Sequence, residues 1–207
     1  MINLTRKILP KMTYNPALNL KNLRSMPEMV LNRKITQGSK NILHIGMNEC
    51  ESVVIQKGGI NTVFTDALNG CNSVGAVVRM KDGSSLFCLS HYYPTNTEEQ
   101  TNAIKSQLEK YKDSIDTTST PKLFFNIRGY NDMGRLVAVD NPILEKVTSL
   151  FSTFFQENPT VKVTPYLNKG RPAYFSSANI FQFNPRKLSE LKITNVGEKE
   201  SYINLLG

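Results

Sequence analysis

The chain has 207 residues, 40% of them hydrophobic and 20% charged. That is enough for one domain with its own core and an appended segment, without disulfide or metal staples. No run of 18 uncharged apolar residues is present, which excludes a transmembrane helix, and no apolar stretch of signal-peptide type lies near the N-terminus. The net charge of +8 is concentrated at one end: residues 1–40 carry eight basic side chains against Glu28, leaving 17 basic and 16 acidic side chains for the other 167 residues.

Residues 1–40 read as a weakly ordered basic leader, interrupted by Pro10, Pro16 and Pro27. Such a leader suits a secretion or targeting signal, a membrane-surface arm or a flexible extension. Nucleic acid is the weaker reading, because Tyr14 is its only aromatic residue and offers no stacking platform. The domain proper spans residues 41–207.

Asn41–Gly46 and Ser52–Gln56 carry short apolar runs before a turn at Lys57-Gly58-Gly59, and Thr62-Val63-Phe64 is β-prone. Val74–Met80 and Leu86–Tyr93 read as strands around Lys81-Asp82-Gly83. A helix capped by Thr97 runs to about Ser114, with Glu98 and Glu99 in its first turn and Ile104, Leu108 and Tyr111 as its apolar stripe. Leu123–Ile127 and Leu136–Val139 are strands. Pro142 opens a second helix to about Gln156, with Ile143, Val147, Leu150, Phe151 and Phe154 at helical spacing. Val161–Tyr166, Pro172–Phe175 and Ile180–Phe183 follow as strands, and Lys187–Leu206 is a loosely patterned tail. The fold class expected is an α+β sandwich, with helices packed on a mainly antiparallel sheet.

The chain has three cysteines and two histidines. An odd cysteine count gives no disulfide framework and fits a reducing compartment. Nucleophilic attack on an amide needs a thiol or hydroxyl, a base and donors for the oxyanion. Cys71 and His91 meet those needs only if their strands pair in one register. With a two-residue loop, His91 faces Val74 and lies on the opposite side of the sheet from Cys71. With the three-residue loop Lys81-Asp82-Gly83, His91 faces Ser73 and shares a face with Cys71, one diagonal step away. Zinc is the rival chemistry, through Cys88-x-x-His91 with Cys71, Cys50 or His44. Residues three apart on a strand point to opposite faces, which argues against it.

The stretch Thr65-Asp66-Ala67-Leu68-Asn69-Gly70-Cys71 resembles the Thr-x-Gly-Leu-Gly-Ser-Cys signature of the CheD chemoreceptor glutamine deamidases. His44–Glu49 is similar to their first strand and Ser90-His91-Tyr92-Tyr93-Pro94 to their Ala-His-x-x-Leu-Pro segment. Pro121–Phe125 resembles their Ala-Lys-Ile-Phe strand, and Gly170-Arg171 their late Gly-Arg. The resemblance runs in order over residues 41–185. Leu68–Cys71 also resembles the Ser-Gly-Cys of the cytotoxic necrotizing factor catalytic domains, toxins that deamidate a glutamine on a host protein.

The resemblance implies a CheD-like sandwich and a protein-glutamine deamidase. Cys71 would be the nucleophile and His91 the base and acid, and Thr65 would orient the histidine or the substrate. Backbone N–H groups around Asn69, Gly70 and Asn72 would hold the oxyanion. His91 would lower the pKa of the Cys71 thiol. The partner implied is a protein presenting an exposed glutamine; no metal or organic cofactor is needed. Asn69-Gly70 replaces the family's Gly-Ser, and Phe125-Asn126 its Gly-Gly. These departures and the basic leader favour a secreted bacterial effector in the host cytosol over a chemotaxis enzyme of the bacterial cytoplasm. A catalytically inactive binding module and transglutamination are the alternatives.

Overall fold

The computed structural model describes residues 41–66, 68, 70–133, 135–139, 141–167, 178–184, 186–195 and 201–204. The leader expected at 1–40 and the strand expected at Pro172–Phe175 lie outside them. Two helices and eleven strands are present among these residues, in three layers. The middle layer is a six-stranded sheet of β2 (Glu49–Ile55), β5 (Ser85–Tyr92), β4 (Asn72–Arg79), β6 (Lys122–Asp132), β7 (Arg135–Ala138) and β8 (Thr160–Leu167), the last two both pairing with β6. One outer layer holds α1 (Thr97–Tyr111) and α2 (Pro142–Phe155). The other is a five-stranded sheet, in the order β1 (Ile42–His44), β3 (Thr62–Thr65), β9 (Asn179–Asn184), β10 (Lys187–Asn195) and β11 (Ser201–Asn204).

The α+β class agrees with the sequence reading, and most pairings are antiparallel. The pairs β1–β3 and β6–β8 are parallel, however, so both sheets are mixed. The second sheet is also larger than expected, because the loosely patterned tail forms β10 and β11. Leu191 and Ile193 are buried while the intervening Lys192 is not. That alternation suits a strand buried on one face, and its charged members hide it from a search for apolar runs.

Strand alternation divides the middle sheet's side chains between two cores. Val74, Ala76, Cys88 and Phe125 face the helices, where they meet Ile104, Val147 and Phe151. Val77, Phe87, Leu89 and Phe124 face the second sheet, where they meet Phe181 and Phe183. Gly75 marks the closest approach of the sheets: a Cβ built there would lie 2.8 Å from the Phe181 ring.

The helices follow their expected bounds, with a different start for the first. Thr97 lies inside α1 rather than capping it, and its hydroxyl donates to the Pro94 carbonyl at 2.8 Å. A short 3-10 turn, Pro94–Asn96, leads into the helix instead. At α2, Asn141 is the cap: its Oδ1 accepts from the Ile143 N–H at 3.1 Å, and Pro142 fills the first helical position. The buried face runs Ile143, Val147, Phe151, Phe155, with Phe154 only partly buried against it.

Candidate active site

The β4–β5 hairpin closes through the three-residue loop. Ser73 pairs with His91 and Arg79 with Ser85. The Met80 N–H donates to the Ser84 carbonyl and the Gly83 N–H to the Met80 carbonyl, both at 2.9 Å. Gly83 has φ +85°, the left-handed conformation that this loop requires at its last position. His91 therefore points toward the second sheet, on the face that strand alternation assigns to Cys71.

The second sheet supplies the residue that holds His91. Thr65, the last residue of β3, is fully buried, and its Oγ1 lies 2.8 Å from His91 Nδ1. His91 is 1% exposed, and its Nε2 has no hydrogen-bond partner among the described residues. Burial pulls its pKa down to about 4, opposed by the nearby Asp66 charge. The imidazole is thus neutral at pH 7, with one nitrogen anchored and the other available.

Cys71 stands immediately before β4 and is 2% exposed, packed with Leu68 and Tyr166. Burial pushes its thiol up rather than down. The expected lowering by His91 is therefore not found: an uncharged imidazole provides no positive charge to stabilise a thiolate. Cys71 is thus a thiol and His91 a neutral imidazole, and no hydrogen bond joins them.

Tyr166 on β8, which the sequence reading did not single out, fastens the Cys71 turn. Its hydroxyl donates to the Cys71 carbonyl at 2.5 Å and accepts from the Gly70 N–H at 3.0 Å. The same N–H also reaches the Leu68 carbonyl at 2.8 Å, and Gly70 has φ +97°. Of the three residues expected to hold an oxyanion, Gly70 therefore already has its N–H engaged. The Asn72 side chain turns to the helix side, where its Oδ1 accepts from Asn141 Nδ2 at 2.8 Å. Asn69 lies outside the described residues.

Three further polar residues share this interior. The register sets His91, Ser73 and Asn126 side by side across β5, β4 and β6. From the second sheet, Asn179 Nδ2 lies 3.4 Å from Ser73 Oγ. Ser73, Asn126 and Asn179 are all buried. The one sequence signal for them was polar residues inside otherwise apolar strands. Nearby and partly exposed, His44 Nε2 lies 3.0 Å from Asp66 Oδ1, and the His44 ring stacks on Phe64 at 4.6 Å. The Asp66 hydrogen bond raises the His44 pKa and lowers that of Asp66.

The residues of the rival zinc reading are parted by the sheet. Cys88 lies in the helix-side core with its Sγ 3.6 Å from Cys50 Sγ, whereas His91 faces the other way. Among the described residues, no three His, Cys, Asp or Glu side chains form a metal-binding group, and no helix is long and apolar enough to cross a membrane. Comparison of the chain with protein-family models and with curated proteins finds no match.

Proposed function

We propose that the protein is a Cys-His protein-glutamine deamidase with a CheD-like domain. The observation that carries this reading is the Thr65–His91 bond. It leaves Nε2 unpartnered in a buried site, on the face of the β4–β5 hairpin that includes Cys71. An anchored imidazole on the same sheet face as a thiol supports this reading; no hydrogen bond joins the two at rest, and acyl transfer through the cysteine needs them brought within reach of each other.

In this reading His91 Nε2 takes the Cys71 proton as sulfur attacks the glutamine side-chain carbonyl. The carbon–sulfur bond forms and the carbonyl oxygen becomes an oxyanion. Collapse breaks the carbon–nitrogen bond, and His91 returns its proton to the departing ammonia. Water then attacks the thioester, His91 takes its proton, the carbon–sulfur bond breaks and the thiol is restored. One amide and one water become one carboxylate and ammonium. A neutral His91 is the form able to accept the first proton.

The basic leader supports a bacterial effector delivered into a host cell over a chemotaxis enzyme acting on chemoreceptors. The second reading, a binding module without catalysis, is favoured by the burial of Cys71 and by the engaged Gly70 N–H. Peptide mass spectrometry separates the readings. Host and chemotaxis proteins incubated with the protein gain one mass unit at a glutamine if it is a deamidase, and none with Cys71→Ala. Added primary amine reveals transglutamination as a larger adduct at the same glutamine. No change in any candidate, with Cys71 alkylating no faster than Cys50, establishes the binding module.

A further inference from the structure

Asn126 is 1% exposed, and neither end of its side-chain amide has a hydrogen-bond partner among the described residues. Exchanging its oxygen and nitrogen changes nothing, since both are unpaired. Buried polar groups are almost always paired, so two orphans on one side chain point to a ligand. Asn179 Oδ1 and His91 Nε2 are unpaired as well.

These groups belong to one place. Asn126 pairs with Ser73, and Ser73 with His91. Phe124, two residues before Asn126 and so on the same face, packs on Phe181 of the second sheet. Asn179, two residues before Phe181, reaches Ser73 from that sheet. Cys71 lies one side-chain step from Ser73, diagonal to both His91 and Asn126. Its neighbour Tyr166 occupies the same face, because Arg128 pairs with Tyr166 as Asn126 does with Thr164.

The unpaired set is neutral: the Asn126 amide donors and oxygen, the Asn179 oxygen and one imidazole nitrogen. A primary carboxamide complements it, with one acceptor and two donors. A carboxylate has no N–H to give to the two asparagine oxygens, and its charge has no cationic partner in the set.

We propose that Asn126 is the residue that reads the substrate's carboxamide. Its Nδ2 donates to the carbonyl oxygen and stays on that oxygen as it becomes the oxyanion. Its Oδ1 and Asn179 Oδ1 accept from the carboxamide N–H groups. This rests on the deamidase reading and supplies an oxyanion donor from a side chain, where the Gly70 N–H is engaged elsewhere.

The test uses the full chain and two neutral reagents that alkylate Cys71 through the same kind of carbon. Chloroacetamide carries the carboxamide; chloroacetone has a methyl group in place of the NH2. Rates at Cys71 are read by peptide mass spectrometry, and their ratio is divided by the ratio for the chain unfolded in urea. The folded protein is expected to favour chloroacetamide on the order of tenfold, the worth of one good hydrogen bond. Asn126→Leu is expected to bring the ratio near one without lowering the thermal midpoint; Asn126→Ala gives the same readout if the leucine variant does not fold. A wild-type ratio near one, or a preference that survives in the folded variants, overturns the proposal. So does a Cys71 that neither reagent modifies, and that result sinks the deamidase reading too. Slower alkylation in His91→Ala, with the carboxamide preference kept, upholds both. Equal rates in wild type and His91→Ala sink the Cys-His reading while the preference still reports the Asn126 subsite.

Discussion

The Thr65 hydroxyl and His91 Nδ1 lie 2.8 Å apart, and that contact joins the two sheets of the molecule. Thr65→Val removes the partner at nearly constant volume. Cys71 alkylation and any glutamine deamidation are expected to fall about tenfold, the equivalent of ~1.4 kcal/mol for one hydrogen bond. Thr65→Ser restores both. A valine variant that keeps the wild-type rates shows that His91 is oriented by packing alone.

Tyr166→Phe keeps the ring and removes the hydroxyl that spans the Cys71 carbonyl and the Gly70 N–H. Leaving a buried backbone group unsatisfied costs about 1–3 kcal/mol. The urea midpoint is expected to drop accordingly, because the Cys71 carbonyl loses its donor while the Gly70 N–H keeps the Leu68 carbonyl. An unchanged midpoint refutes the clamp.

His91 gives the protein a specific acid sensitivity. Its folded pKa of about 4 lies below the ordinary value of 6.5, because burial disfavours the imidazolium. Between those values the unfolded chain binds more protons, so this contribution is full above pH 6.5 and declines as the pH falls toward 4. The loss is on the order of 3 kcal/mol. Denaturant midpoints measured from pH 7 to pH 4 are expected to fall in wild type and to flatten in His91→Gln. Parallel curves for the two proteins rule out His91 as the source.

Gly75→Ala tests the spacing of the sheets. The added methyl meets the Phe181 ring, itself packed by Phe87 and Phe124 at centroid distances of 4.7 and 5.8 Å. Overpacking of this kind costs about 1–3 kcal/mol, read as a lower thermal midpoint. Gly75→Ala with Phe181→Leu is expected to recover part of it. A midpoint equal to wild type shows that the sheets separate freely.

Much of this was legible in the sequence where chemistry is local. Pro142 and the apolar spacing marked α2, and Gly83 marked the hairpin whose loop length fixes the register of His91. The parity of Cys71 and His91 could be posed from sequence but not decided, since one residue of loop length moves His91 to the other face. The contacts made by Tyr166 and Asn179 were not legible, because each reaches the site from a strand far from Cys71 in the chain, whereas Thr65, six residues before Cys71, was marked by the resemblance. Burial likewise reversed the expected effect on the Cys71 thiol, and sequence spacing carries no burial.

The strand that carries Thr65 sits between β1 and β9, so its sheet is closed by residues near the C-terminal end of the chain. The β4–β5 hairpin and both helices are made earlier from neighbouring segments. During synthesis the hairpin bearing His91 can form while β3 still lacks β9. Pairing between distant segments is slow to form. The interior that Thr65, Ser73, His91 and Asn179 share is therefore completed only after Asn179 and its neighbours have emerged, and an unfinished chain carries the hairpin without the strand that encloses it.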